Sequence, residues 1–254
     1  MGLFDTHAHY FKNDFGEELE RLLADLPSRG VERVLAIGCD IPSSEEELEL
    51  AERFDYIWAA VGIHPEYAAD VPKGWESELE RLLKQDKAIA LGEIGLDYHY
   101  PEPPRDVQRG IFVKQLEIAK RLDMPVVIHS REASADTLDI LKEYKPRGVL
   151  HCFSGSAETA REVVKLGMYI GFTGVLTFKN AKKARAACEA VPIDKLLLET
   201  DCPYMAPVPH RGERCDSSML GFTAAAMAEI KGKSAEEMIE IARENGERLF
   251  FGRE

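Results

Sequence analysis

The chain has 254 residues, 45% of them hydrophobic and 30% charged, with a net charge of −13 at pH 7. That balance suits a globular protein with ample material for a core. It weighs against a protein that coats nucleic acid through clustered Lys and Arg, although an acidic chain can act on a phosphate ester where bound metals supply local positive charge.

Five cysteines, Cys39, Cys152, Cys188, Cys202 and Cys215, are odd in number and form no C-x-x-C pair. That usage suits a reducing compartment rather than a disulfide framework. No run approaches the ~18 apolar residues of a membrane span, and no signal-peptide core precedes Asp5. The expectation is a cytoplasmic protein without a membrane partner. Met1-Gly2 with Thr6 matches an acylation pattern, but Thr6 falls inside the first predicted strand and the match is set aside.

Apolar runs recur along the chain: Leu3-Phe4-Asp5, Val34 to Ile37, Ile57 to Ile63, Ala88 to Leu91, Val126 to His129, Val149 to His151, Met168 to Phe172 and Leu196 to Leu198. Their character is continuous rather than alternating, as in strands buried on both faces of a parallel sheet. Helical patterns lie between them. Phe112, Leu116, Ala119 and Leu122 form one stripe at helical spacing between Arg105 and Leu122. Ser44 with Glu47, and Ser234 with Glu237, read as capping boxes.

Strand–helix units repeated eightfold in about 250 residues match the size of a (β/α)₈ TIM barrel, here one domain over 1–254. A doubly wound open sheet is the alternative. It would carry a Gly-rich turn after strand 1, where this chain has His7-Ala8-His9. Lys231-Gly232-Lys233-Ser234 imitates the end of a phosphate-binding loop, but Met227 occupies the place of its first glycine. Pro101 to Pro104 and Cys202 to Pro209 are expected to be ordered loops on the catalytic face.

Glu93 follows the run Ala88 to Leu91 and Gly92, a costly place for a carboxylate without a partner or a cation. Alone, it reads as a cap on the next loop. Its neighbours change that reading. His7 and His9, two apart on an extended segment, point the same way and can reach one ion. His129 closes the fifth run, His151 the sixth and Asp201 the eighth, at the strand ends where barrel enzymes place catalytic groups. Nitrogen and oxygen donors without thiolates indicate a catalytic site for Zn²⁺, Mn²⁺ or Mg²⁺. Cys152 and Cys202, each beside a candidate ligand, are expected on the opposite strand face. His64 ends the third run, where it can donate to a substrate oxygen. Arg131 beside His129, and Arg211 in the loop after strand 8, are candidate phosphate clamps. His99 reads as a loop residue that at most lines the cleft.

Together these stretches resemble the TatD family of metal-dependent deoxyribonucleases, within the amidohydrolase-like barrels. They are DTHAH from Asp5, GIHP from Gly62, GEIGLDYH from Gly92, IHSR from Ile128, HCFSGS from His151 and ETDCPYMAPVPHRG from Glu199. The resemblance implies two divalent ions, with His7, His9, Glu93 and Asp201 on one and Glu93, His129 and His151 on the other. Glu93 would bridge where related hydrolases use a carboxylated Lys. It also implies phosphodiester hydrolysis by an activated hydroxide, with Asp201 as ligand and general base, and 3′→5′ trimming of DNA single strands or ends. A monomer is expected. Two alternatives stay open: hydrolysis of another ester or amide on the same barrel, and a metal-binding scaffold without turnover. After His210-Arg211-Gly212 the family commonly continues with a basic residue, an Asn and a Pro nearby. This chain reads Glu213-Arg214-Cys215-Asp216-Ser217, which leaves loop geometry and substrate preference open.

Overall fold

Strands buried on both faces need helices to cover them, and the chain supplies one cover after another. The computed structural model describes residues 2–252; Met1, the first residue of the acylation pattern, lies outside them. A parallel sheet of eight strands runs in chain order: β1 (Leu3–Ala8), β2 (Val31–Ile37), β3 (Ile57–Val61), β4 (Ala88–Asp97), β5 (Val126–Arg131), β6 (Gly148–Leu150), β7 (Tyr169–Phe172) and β8 (Leu196–Leu198). Each overlaps one of the apolar runs. The sheet comes round on itself where His9 N–H donates to the Cys202 carbonyl at 2.8 Å and Asp201 N–H to the His7 carbonyl at 2.9 Å. Helices alternate with the strands, so the protein is a (β/α)₈ barrel.

Two apolar clusters show how the barrel is filled. One takes Phe4, Leu35, Ala60, Ala90, Val127, Val149, Tyr169 and Leu197, a residue from every strand, and so lines the interior. The last helix, Ala235–Phe251, adds Leu249 and Phe250 to it, with the Phe250 ring 6.2 Å from that of Phe4. This end of the barrel is a closed apolar floor. The other cluster joins the outward strand positions, among them Leu3, Leu91, Ile94, Ile128 and Leu150, to the helices. Burying one such aliphatic side chain contributes about 1.5–3 kcal/mol.

Helix Arg105–Leu122 matches its predicted stripe, with Phe112, Leu116 and Ala119 buried. The Ser234–Glu237 capping box is present. The Ser44–Glu47 box is not: helix Ile41–Arg53 starts one turn earlier, capped by Asp40 and Ser43, with a proline in its first turn. Ser44 and Glu47 are instead wholly buried. Glu47 accepts from Tyr10 N–H at 2.7 Å.

β4 also runs further than its apolar stretch suggests, so Glu93 lies inside the strand rather than after it. Ala90 faces the interior while Leu91 and Ile94 both face the helices. A register shift between Leu91 and Ile94 separates them, and this shift turns Glu93 inward. β1 behaves likewise. Phe4 faces inward and Ala8 outward across a shift between Asp5 and Ala8, which brings His7 and His9 to the mouth.

Candidate metal centre

At the mouth, the two carboxylate oxygens of Glu93 face different groups. Oε2 lies 3.5 Å from His7 Nε2 and 3.7 Å from His9 Nε2. Those two nitrogens are also each 3.6 Å from Asp201 Oδ1. Oε1 lies 2.8 Å from His129 Nδ1 and 2.5 Å from His151 Nε2. The ligand atoms of His7, His9 and Asp201, and those of His7, Glu93 and His151, lie within 4.8 Å of one another. The six predicted metal-site residues therefore meet in one place, divided by Glu93 into two sets.

The hydrogen bonds behind these side chains show which atoms are free. His9 Nδ1 is 2.8 Å from the Ile37 carbonyl, so Nδ1–H donates there and the Nε2 lone pair points at Glu93 and Asp201. His129 Nε2 is 3.0 Å from Asp97 Oδ2, which leaves Nδ1 for the Glu93 side. His151 Nδ1 faces Glu199 Oε1 at 3.7 Å. The His7 ring stacks on that of His151 with centroids 3.8 Å apart. This donor set, with lone pairs converging on one shared carboxylate, fits divalent cations.

His64 differs. Its Nδ1 accepts from Glu66 N–H at 3.2 Å, so the neutral ring carries its proton on Nε2, 3.8 Å from Glu93 Oε1. Burial pushes it down to about 3, against the pull of Glu93. Its atoms fall near those of Glu93 and His129, yet a protonated Nε2 donates and does not ligate.

Burial would raise the Glu93 carboxyl, but His151, His64 and His7 hold it well below the usual range. Burial likewise opposes charge on His129, and its bonds to Asp97 and Glu93 overcome this and push it up to about 9. Imidazoles that gather protons beside a carboxylate offer the same lone pairs to a cation.

The cleft above the centre has a volume of about 970 Å³ and is lined by His9, His64, Glu93, His129, His151 and Asp201, among others. Arg131 also lines it, half exposed, with its guanidinium 4.0 Å from Asp97 Oδ2. Arg211 does not. It lies over the Phe178 ring at 4.5 Å, outside the cleft lining. His99 is also outside and faces Glu132 Oε1 at 2.8 Å. Cys202 is buried away from the cleft as expected, but Cys152 lines it, since a left-handed φ of 41° ends the regular alternation of β6 there.

Over residues 4–251 the chain matches the family described as TatD related DNase. The chain belongs to the TatD family. It is 41% identical over 251 residues to the Bacillus subtilis protein named uncharacterized metal-dependent hydrolase YabD, covering 98% of each. The crystal structure of YJJV, a TatD homologue from Escherichia coli, superposes with a TM-score of 0.91 at 31% identity, covering 98% of each chain. A human relative named 3′-5′ RNA nuclease TATDN2 is 32% identical over 266 residues, 98% of this chain and 35% of that protein. Like its TatD relatives, the protein is a metal-dependent hydrolase.

Several supporting residues in this TatD site escaped the sequence reading. Asp97 is buried at the end of β4, bonded to His129 and to His99 N–H. Glu199 is wholly buried, accepts from Cys152 N–H, and is pushed up to about 8 by burial. Asp5 accepts from Thr200 and Ser217 at the β1–β8 seam. The available signal was the one used for Glu93: a carboxylate closing an apolar strand. Cys39 Sγ stands 3.8 Å from His9 Nδ1, and its atoms fall near those of His9 and Glu93.

In the stretch that departs from the family, Glu213 to Ser217, the first two residues are exposed while Cys215 and Ser217 are buried. Cys215 N–H donates to the Pro203 carbonyl at 3.0 Å. Ser217 is buried, with Oγ donating to Asp5 Oδ2 at 2.7 Å. This loop braces the strand that carries His7 and His9.

Proposed function

We propose that the protein hydrolyses phosphodiester bonds of single-stranded DNA from the 3′ end, using two divalent cations. The observation that carries this reading is the division of Glu93, one oxygen toward His7 and His9 and the other toward His129 and His151. In this reading His7, His9, Asp201 and Glu93 hold one cation, and Glu93, His129 and His151 hold the second. When bound, such cations acidify water and offset negative charge on a phosphoryl oxygen. The family description as a DNase favours a phosphodiester over another ester or amide.

The chain's own residues supply the rest. Asp201, a carboxylate beside the shared oxygens, accepts a proton from the attacking water. His64 Nε2–H donates to a non-bridging phosphate oxygen, and as a neutral ring it keeps this role throughout the physiological range. The Arg131 guanidinium binds the phosphate next to the reacting one. The buried shell of Asp97, Glu199 and Asp5 holds the imidazoles and β1 in place.

The decisive assay offers end-labelled single-stranded DNA and RNA, beside small phosphoesters, lactones and amides, to the metal-reconstituted protein and to Glu93→Ala. The expected result is stepwise shortening of DNA from its 3′ end by the wild type alone. Intact DNA at full metal occupancy would sink this reading, and turnover of another ester or amide would replace it.

A further inference from the structure

Among the described residues, the exposed large apolar side chains are Tyr67, Tyr100, Tyr204, Met205, Val208 and Phe222. Tyr67, Tyr100, Tyr204 and Met205 all line the cleft above the candidate centre. Exposed apolar surface gathered in one place marks a contact with something else. At about 970 Å³ the cleft is also far larger than one phosphate group requires.

Its two sides differ in chemistry. On the side of His9 and Asp201 stand Tyr67 and Tyr204. Burial raises the Tyr67 hydroxyl, helped by Cys39, Asp40, Glu66 and Tyr204. Burial raises that of Tyr204 too, with Asp14, Asp201 and Cys39 adding to it against His9. Tyr204 N–H donates to the Asp201 carbonyl at 2.9 Å, Tyr67 closes the short turn that His64 caps, and Asp14, Asp40 and Glu66 line the cleft with both tyrosines. On the side of His129, the Arg131 guanidinium lies over the Tyr100 ring at 5.5 Å. Arg131 is the only Lys or Arg among the described residues that line the cleft.

Aromatic faces hold nucleobases of any sequence by stacking. Carboxylates beside them repel a phosphate, whereas a guanidinium attracts one. We infer that Tyr67 and Tyr204 form a slot for the base of the 3′-terminal nucleoside, with the rest of the strand leading away past Arg131 and Tyr100. The inference rests on the nuclease reading above and adds which nucleotide sits on which side.

A free 3′-hydroxyl can lie among Asp14, Asp40 and Glu66, but a further phosphate there meets three like charges. The slot therefore admits a chain end and not the middle of a strand, and one nucleotide leaves at a time. In that step a water oxygen bonds to the phosphorus on the 5′ side of the terminal nucleoside. The bond from phosphorus to the penultimate O3′ breaks, and that oxygen takes a proton from solvent. The terminal nucleoside 5′-monophosphate is left between the tyrosines.

The test uses the full chain loaded with Mn²⁺ and single-stranded oligonucleotides that differ only at the 3′ end: a normal nucleoside, an abasic residue, or a 3′-phosphate. The wild type should prefer the normal end over the abasic one by about tenfold or more in kcat/KM, mostly through KM, and should cleave the 3′-phosphate end least. Tyr67→Ala and Tyr204→Ala should bring the normal-to-abasic ratio toward one, while Tyr67→Phe and Tyr204→Phe keep it. A wild type without the preference, or alanine variants that retain it, would overturn the slot. A second readout needs no cleavage: quenching of 2-aminopurine deoxynucleoside 5′-monophosphate on binding. If the wild type cleaves no oligonucleotide but quenches this probe, and Tyr204→Ala does not, the nuclease reading fails and the slot stands. If neither cleavage preference nor quenching occurs, the slot falls.

Discussion

The mouth of the barrel is built in two ways, and strands β5 and β6 contrast with β1 and β4. On β5, Val127 faces the interior, Ile128 the helices and His129 the mouth; on β6 the same sequence of faces runs Val149, Leu150, His151. Plain alternation delivers both histidines. On β4, alternation from Ala90 would send Glu93 outward, and from Phe4 on β1 it would send His7 and His9 outward. Register shifts reverse them. The residues that join the two candidate metal positions thus depend on irregular backbone, and the regular strands act as the frame around it.

That irregular backbone is held by close approach. A Cβ on Gly92 would stand 2.6 Å from Val127 Cβ, and one on Gly95, at φ 144°, would stand 2.0 Å from the His129 carbonyl oxygen. The absence of side chains at these positions lets β4 lie against β5 while Glu93 points inward.

The largest expected effect comes from removing the shared residue. Glu93→Ala should lose bound metal at both positions, by more than the about 10–100-fold typical of losing a supporting carboxylate. Metal content by mass spectrometry reads this directly, and retention of two equivalents would break the bridging assignment. The next effect separates the two kinds of strand. Gly92→Ala should cost about 1–3 kcal/mol by overpacking and should also weaken metal binding, whereas Val127→Ala should cost about 2 kcal/mol in denaturant unfolding with metal content intact. The double variant should not recover the Gly92→Ala loss, because alanine keeps the Val127 Cβ and backbone atoms that the new Cβ meets. Equal metal loss in both single variants would erase the distinction.

Asp97→Ala should weaken metal binding about 10–100-fold, since His129 loses the partner that aims its Nδ1. Calorimetric titration of the metal-free protein checks this, and unchanged affinity would remove Asp97 from the site.

An effect on stability rather than on metal lies behind β1, at Glu47. Burial raises its carboxyl from 4.5 to about 8, so the folded protein keeps a proton that the unfolded chain releases as pH rises above the ordinary value. Stability should therefore fall between about pH 4.5 and 8 on account of this group and level off above. Glu47→Gln, which keeps an acceptor for Tyr10 N–H, should remove that slope and raise the melting temperature at pH 8.5 relative to the wild type. The two proteins should converge near pH 5. A parallel shift at both pH values would show that ionisation is not the cause.

Much of this was legible along the chain. The apolar runs located every strand because strands covered on both faces need uninterrupted apolar character, and Arg105–Leu122 followed from its stripe. The six metal-site candidates were legible because polar groups that close apolar runs are costly without a purpose. The Ser44–Glu47 box was misread because Asp40 and Ser43 offer the same chemistry one turn earlier, and only the packed position of Glu47 against Tyr10 distinguishes them. Arg211 is in the loop after β8 as expected, but its side chain lies over Phe178 outside the cleft lining, a position that loop sequence does not specify.

The sequence by itself determined the barrel, the types of the candidate donors and their order. Periodicity is local, and each strand end carries its own residue. The tertiary structure alone decided that Glu93 turns inward and presents one oxygen to each half of the site. That outcome depends on a register shift against β5, on Val127 filling the space beside Gly92, and on Asp97 turning His129. Those contacts join residues distant in the chain, so no local pattern encodes them.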